Sequence, residues 1–209
     1  MGMARARHLA MFPLSAVLFP HERMALHVFE PRYRALVDDC LAGAGGFGVV
    51  LITRGSEVGG GDERVDVGTE ASIETAQPFT DGRWHLAVRG QRRIRVTRWL
   101  GDDPYPRALV EDSSPALTEP GDLLAVAEAE VRRVRALLSE LDGAPAVPAT
   151  FSFGATPDEV AWGLCASAPV NSFDRQLLLE ALGPAERLSL LVDLVRAVSD
   201  DVGRILAGG

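Results

Sequence analysis

Apolar and polar residues follow two different rhythms along this chain. From residue 9 to about 112 the apolar residues come in short runs rich in Val, Ile, Thr and aromatics, broken by glycine clusters. That pattern predicts strands at 10–18, 25–29, 46–54, 65–77, 83–90, 92–100 and 105–112. One helix interrupts them at about 31–42. Pro31 fits its first helical position, and Tyr33, Leu36, Val37, Cys40 and Leu41 recur at helical spacing until the Gly43–Gly48 cluster ends it. The segment Gly55–Arg64 holds four glycines and three acids, so it reads as a mobile hairpin connection. Asp81-Gly82 marks a tight turn between strands.

From about 119 the apolar residues recur every three to four positions. Residues 120–142 carry an amphipathic stripe of Leu123, Leu124, Ala127, Val131, Val134, Leu137, Leu138 and Leu141. A Pro- and Ala-rich loop follows at 143–155. Thr156-Pro157-Asp158-Glu159 then starts a helix to about Ser167, with a capping threonine, a proline at the first position and an acid reaching back. Asn171 caps the next helix, which ends near Leu182. Gly183-Pro184 precedes the last, about 185–206, whose face is Leu188, Leu191, Val192, Val195, Val198, Val202 and Ile205.

Composition excludes several chemistries. All 21 basic residues are arginine. Without lysine the chain lacks the phosphate-binding group of a P-loop, the base of a Ser-Lys protease and the Schiff-base donor of a pyridoxal enzyme. The net charge of −8 argues against a general nucleic-acid binder. Residues 1–115 carry 14 Arg against 15 acids, and residues 116–209 carry 7 Arg against 14, so the acidity lies in the helical part. Cys40 and Cys165 stand alone, without a CxxC or a Cys/His cluster, and read as two reduced core thiols. Arg5 and Arg7 before the apolar stretch Leu9–Pro20 imitate a signal peptide, but Pro13 interrupts the stretch and no small-x-small site follows. No apolar run approaches the ~20 residues of a membrane span, and the expected location is cytoplasmic.

Few motifs carry chemistry. Gly43-x-Gly45-x-x-Gly48 matches the dinucleotide fingerprint in letters, yet a helix precedes it and a strand follows, the reverse of the order pyrophosphate binding needs. His8, His21, His27 and His85 show no metal-ligand spacing, and GxSxG is absent. No metal, cofactor or catalytic residue is expected. Arg89, Arg92, Arg93, Arg95 and Arg98 fall within ten residues. On a strand, Arg93 and Arg95 share a face with Trp99, an arrangement that offers phosphate pairing and stacking to RNA. A solvated sheet face paired with neighbouring acids is the plainer reading. Trp84, Trp99 and Trp162 serve either packing or a partner interface.

One series of motifs runs through the chain in order. Phe12-Pro13-Leu14, Leu18-Phe19-Pro20 and Leu26-His27-Val28-Phe29-Glu30-Pro31-Arg32-Tyr33 come first. Phe47–Ile52, Val67-Gly68-Thr69, Asp81-Gly82-Arg83, Gly90–Val96 and Pro104-Tyr105 follow, and then Asp174–Glu180 and Glu186-Arg187-Leu188. In this order and spacing, over about residues 10–205, the series resembles the N-terminal substrate-binding domain of Lon proteases. The resemblance implies an α+β fold: a PUA-like β-barrel of about six or seven strands with one inserted helix, then a C-terminal bundle of about four helices. The expected division is 1–115 for the barrel and 116–209 for the helices, packed on the barrel. Lon proteases continue into an ATPase and a Ser-Lys peptidase, which this sequence does not show. The chain therefore resembles the free-standing bacterial proteins of this domain type.

The resemblance implies a non-enzymatic module that binds unfolded or hydrophobic polypeptide segments, or a protein partner, without membrane or cofactor. Candidate partner-binding residues are Phe29, Tyr33, Trp84, Trp99 and Trp162, expected around a cleft between barrel and helices. The alternative is an RNA-binding PUA-like protein using Arg93 and Arg95 of the Arg89–Arg98 strand.

Overall fold

The computed structural model describes residues 6–54, 63–113, 120–143 and 146–208. The chain divides into two compact units, Met1–Ser114 and Pro115–Gly209. In the first, strands β1 (Arg7–Leu14), β2 (Arg23–Val28), β3 (Phe47–Arg54), β4 (Glu63–Pro78), β5 (Trp84–Trp99) and β6 (Arg107–Asp112) form one mixed sheet. Its order is β2-β5-β4-β3-β1-β6, and a further pairing of β5 with β6 closes five of the strands into a barrel. β1 runs parallel to β3, and every other pair is antiparallel.

The length of β5 makes that closure possible. Its first half, Trp84–Arg89, pairs with β2, and its second half, Ile94–Trp99, pairs with β6, so both lie along the side of β5 opposite β4. The sequence predicts two strands here, 83–90 and 92–100, but the ladder to β4 continues through a bulge. Gly90 faces Ala71 and Arg92 faces Glu70, which leaves Gln91 as the extra residue. Gly90 is required sterically: a Cβ there would stand 2.1 Å from the Phe19 carbonyl oxygen. The Gly90 amide donates to Glu22 O at 2.9 Å, and the His21 amide donates to Gly90 O at 2.8 Å.

The predicted strand 10–18 ends at Leu14. Val17, Leu18 and Phe19 still fill the core although they lie outside a ladder. The Thr69 hydroxyl satisfies the buried Leu18 carbonyl at 2.6 Å. Pro78 and Trp84 flank the turn that Asp81-Gly82 predicts, with Gly82 at φ 82°. Of the Gly55–Arg64 connection, Glu63 and Arg64 belong to β4, while residues 55–62 lie outside the described residues.

Helix α1 (Pro31–Asp39) starts where Pro31 fixes φ and continues into a π-helical turn, Cys40–Ala44. Its inner face sets Tyr33, Leu36 and Val37 into a core with Phe12, Phe47, Val49 and Leu86. Phe12 and Tyr33 stack at 4.1 Å with planes 12° apart. A second cluster joins Met11, Val50, Ile94, Val96, Ala108 and Val110 inside the barrel. Each such side chain contributes roughly 1.5–3 kcal/mol on burial.

The second unit contains α2 (Leu123–Asp142), α3 (Pro157–Ser167), α4 (Ser172–Glu180) and α5 (Pro184–Gly208). The capping box at Thr156 and Glu159 forms as the sequence predicts, and Asn171 Oδ1 accepts from the amides of Phe173 and Asp174. Ile205, at the end of the predicted apolar face of the last helix, is exposed. Among the described residues no helix is long and apolar enough to cross a membrane. Cys40 and Cys165 are buried thiols outside any disulfide, and burial pushes the Cys40 thiol up to about 11.

Candidate functional site

Edge strand β2 and the start of α1 build a groove in the first unit. It has a volume of about 140 Å³ and is lined by Phe12 and Leu14 of β1, by Ala25–Phe29 and Glu30, and by Tyr33 of α1. Phe29 leaves the end of β2 just before Pro31 turns the chain into the helix. It is therefore held at the mouth of the groove with 52% of its surface exposed. Tyr33, four residues on, faces inward at 3% and serves as a wall, with Arg32 stacked over its ring at 4.4 Å. The sequence makes these two aromatics equivalent candidates; the structure exposes Phe29 and buries Tyr33.

A second feature adjoins the groove on the outer face of the sheet. His27 and His85 are directly opposed across β2 and β5, with ring centroids 4.6 Å apart. Phe79 meets His85 edge-on at 4.7 Å and is 38% exposed, and Arg83 lies over the Phe79 ring. The Arg83 amide and guanidinium both donate to Asp81, holding its carboxyl below its ordinary pKa. Phe79 is not among the residues that the sequence pattern singles out. It stands just past the end of β4 and two residues before Asp81-Gly82, a place where a side chain has little core to reach.

The tryptophans have separate surroundings. Trp84 pairs with Val28 and packs, partly buried, against the core that contains Tyr33. Trp99 lies under the Arg64 guanidinium at 4.8 Å and donates to Asp66 at 3.4 Å, away from the groove-lining residues. Trp162 belongs to the second unit and is 4% exposed, with Arg187 stacked 3.4 Å above its ring. That unit also has an open depression lined by Arg135, Pro148, Phe151 and Ala168, and it exposes Phe173, Leu177 and Leu182.

The arginine strand is largely engaged. Arg92 pairs with Glu70 at 2.6 Å and Asp112 at 3.3 Å, and Arg89 lies 3.9 Å from Glu74. Arg93 is 7% exposed and donates from Nε to Ser113 O; burial, and then the neighbouring Arg95 charge, push its pKa down. Arg95 alone of that pair is exposed. Among the described residues no three or more His, Cys, Asp or Glu side chains are grouped to hold a metal.

The described residues combine a closed barrel that carries an inserted helix with four further helices. The chain belongs to the family of the substrate-binding domain of ATP-dependent protease La (LON), whose model matches residues 8–197. It is similar to the crystal structure of a Lon N-terminal domain protein from Xanthomonas campestris. That match has 30% identity and a TM-score of 0.65 over 90% of this chain and 98% of the other. The N-terminal domain of a Mycobacterium avium complex Lon protease shares the fold, with 17% identity and a TM-score of 0.60 over 91% of this chain and 98% of the other. Among curated relatives, a Lon protease of Dictyoglomus thermophilum is 26% identical over 186 residues, 86% of this chain. A LON peptidase N-terminal domain and RING finger protein of Schizosaccharomyces pombe is 26% identical over 110 residues, 47% of this chain. The matched region spans 23% of the length of each of these two relatives.

Proposed function

We propose that this protein is a non-enzymatic module that binds unfolded or hydrophobic polypeptide segments at the groove beside β2. The observation that carries the reading is Phe29, a large aromatic held 52% exposed at a groove whose walls include Phe12, Leu14, Leu26 and Tyr33 beside His27 and Glu30. A bound apolar segment that covers the exposed half of this ring recovers about 1 kcal/mol, half of the value for full burial. The family description as a protease's substrate-binding domain supports the same reading. The absence of lysine, and with it of a Walker motif, supports the lack of ATPase and Ser-Lys peptidase chemistry in this chain.

The test uses a carboxymethylated, permanently unfolded polypeptide with a fluorescent label, titrated with the 209-residue protein. Binding should weaken about ten-fold in Phe29→Ser with the melting temperature unchanged, the scale of losing one buried aromatic contact. Equal affinity of Phe29→Ser and wild type, or no binding at all, contradicts the assignment. ATP or casein turnover that persists through rigorous purification contradicts the non-enzymatic reading.

A further inference from the structure

We infer that the polypeptide docks on the free edge of β2 as an added β-strand, recognised through its main chain, with one apolar side chain seated in the groove. The inference rests on the peptide-binding reading above and specifies the chemistry of the ligand.

Among the described residues β2 pairs with β5 alone, so one side of the strand has no neighbour in the sheet. The phase of the ladder shows which groups that side presents. The Gly90 amide donates to the Glu22 carbonyl at 2.9 Å, and the register then runs one-to-one from Arg23 opposite Arg89 to Val28 opposite Trp84. Ladder bonds in an antiparallel pair fall on alternate residues, here Met24, Leu26 and Val28. The N–H and C=O groups of Arg23, Ala25 and His27 therefore point away from β5. Their spacing of about 7 Å, two residues of extended chain, is the pattern that another extended backbone matches.

Exposed edges are ordinarily guarded by lysine, proline or a bulge. β2 has none of these. Its one arginine, Arg23, is directed across the outer face of the sheet to Glu74 at 2.8 Å. The groove confirms which side is open. Its lining runs through consecutive residues, Ala25 to Phe29, where a groove on one face of the strand would take every second residue. Phe12, Leu14 and Tyr33 line the same groove. A volume of about 140 Å³ suits one side chain of valine to phenylalanine size, since a cavity of about 150 Å³ accepts a benzene-sized group. The occupant is thus an extended segment, unpaired on at least one edge, with an apolar residue turned inward. Unfolded chains offer this and folded domains seldom do.

The experiment uses the whole protein and two synthetic probes. One is a nine-residue peptide of alternating threonine and leucine with charged flanks; the other is its fully N-methylated analogue, which keeps every side chain but has no amide donor. The parent peptide should bind and slow hydrogen exchange at the Ala25 and His27 amides, with the analogue at least about ten-fold weaker. Ala25→Pro removes an outward N–H and spares the ladder to β5, so it should keep its melting temperature and lose about ten-fold in affinity for the parent peptide. Equal binding of parent and analogue overturns the strand-addition inference and leaves peptide binding intact. Failure of both probes and of the unfolded polypeptide overturns both readings. Concentration-dependent dimerisation that protects β2, with no peptide bound, assigns the edge to a second copy of the chain and overturns the inference too.

Discussion

Tyr105 donates its phenolic hydrogen to Asp39 Oδ2 at 2.6 Å, tying the segment before β6 to the end of α1. Burial first, and then the bonded carboxylate, push the tyrosine up from 10.0 to about 12. Ionising it would place two negative charges within one hydrogen-bond length.

The pH dependence of stability follows from the sign of that shift. A pKa raised on folding means that the native state holds its proton where the unfolded chain has lost it. The contribution is complete below pH 10 and is lost as pH rises from 10 to about 12. Cys40, raised from 9.0 to about 11, adds a loss of the same sign that begins near pH 9. Urea unfolding across pH 8–12 should show a decline on the order of 1–2 kcal/mol per group. Tyr105→Phe should abolish the tyrosine's share. A flat profile contradicts the bond.

Two glycines should respond in opposite ways. Gly90→Ala drives a methyl group to 2.1 Å from the Phe19 carbonyl and should destabilise the protein by about 2–3 kcal/mol. Gly101 has open space around it, so Gly101→Ala should stay within about 0.5 kcal/mol. Thermal melts of both variants check the prediction, and equal melting temperatures contradict the docking of the Phe19–Glu22 turn on β5.

The aromatic candidates should separate into support and contact. Trp162→Ala empties a buried site under Arg187 and should lose roughly 3–5 kcal/mol. Phe29→Ser should change stability by less than about 0.5 kcal/mol, because its ring is half in water. Denaturant midpoints of the two variants, measured together, decide this.

Asn171 is the single asparagine of the chain and caps α4, with Oδ1 accepting at 2.9 Å and 3.0 Å. Asn171→Ala should cost about 1 kcal/mol, and Asn171→Asp should recover only part of it, because it supplies the same acceptor but replaces the Nδ2 donor to Asp174 with a second carboxylate. Denaturation of the pair measures the cap directly.

Local features were legible along the chain. Pro31, Thr156-Pro157, Asn171 and Asp81-Gly82 act within a few residues of themselves, so the starts of α1, α3 and α4 and the turn before β5 were legible as caps and turn chemistry. The change from strand to helical periodicity near residue 115 was legible for the same reason, as was the reversed order that disqualifies Gly43–Gly48 as a nucleotide loop. What needed the tertiary structure is pairing at a distance. Periodicity records which residues share a face, and says nothing about which strand lies alongside. Only the register shows that β5 continues past Gly90, that β6 closes the barrel on its second half, and that among the described residues β2 pairs on one side alone. The same limit explains Phe29 and Tyr33. They are neighbours of equal hydrophobic character in the sequence, and only the packing of Tyr33 against Phe12 decides that one is core and the other surface.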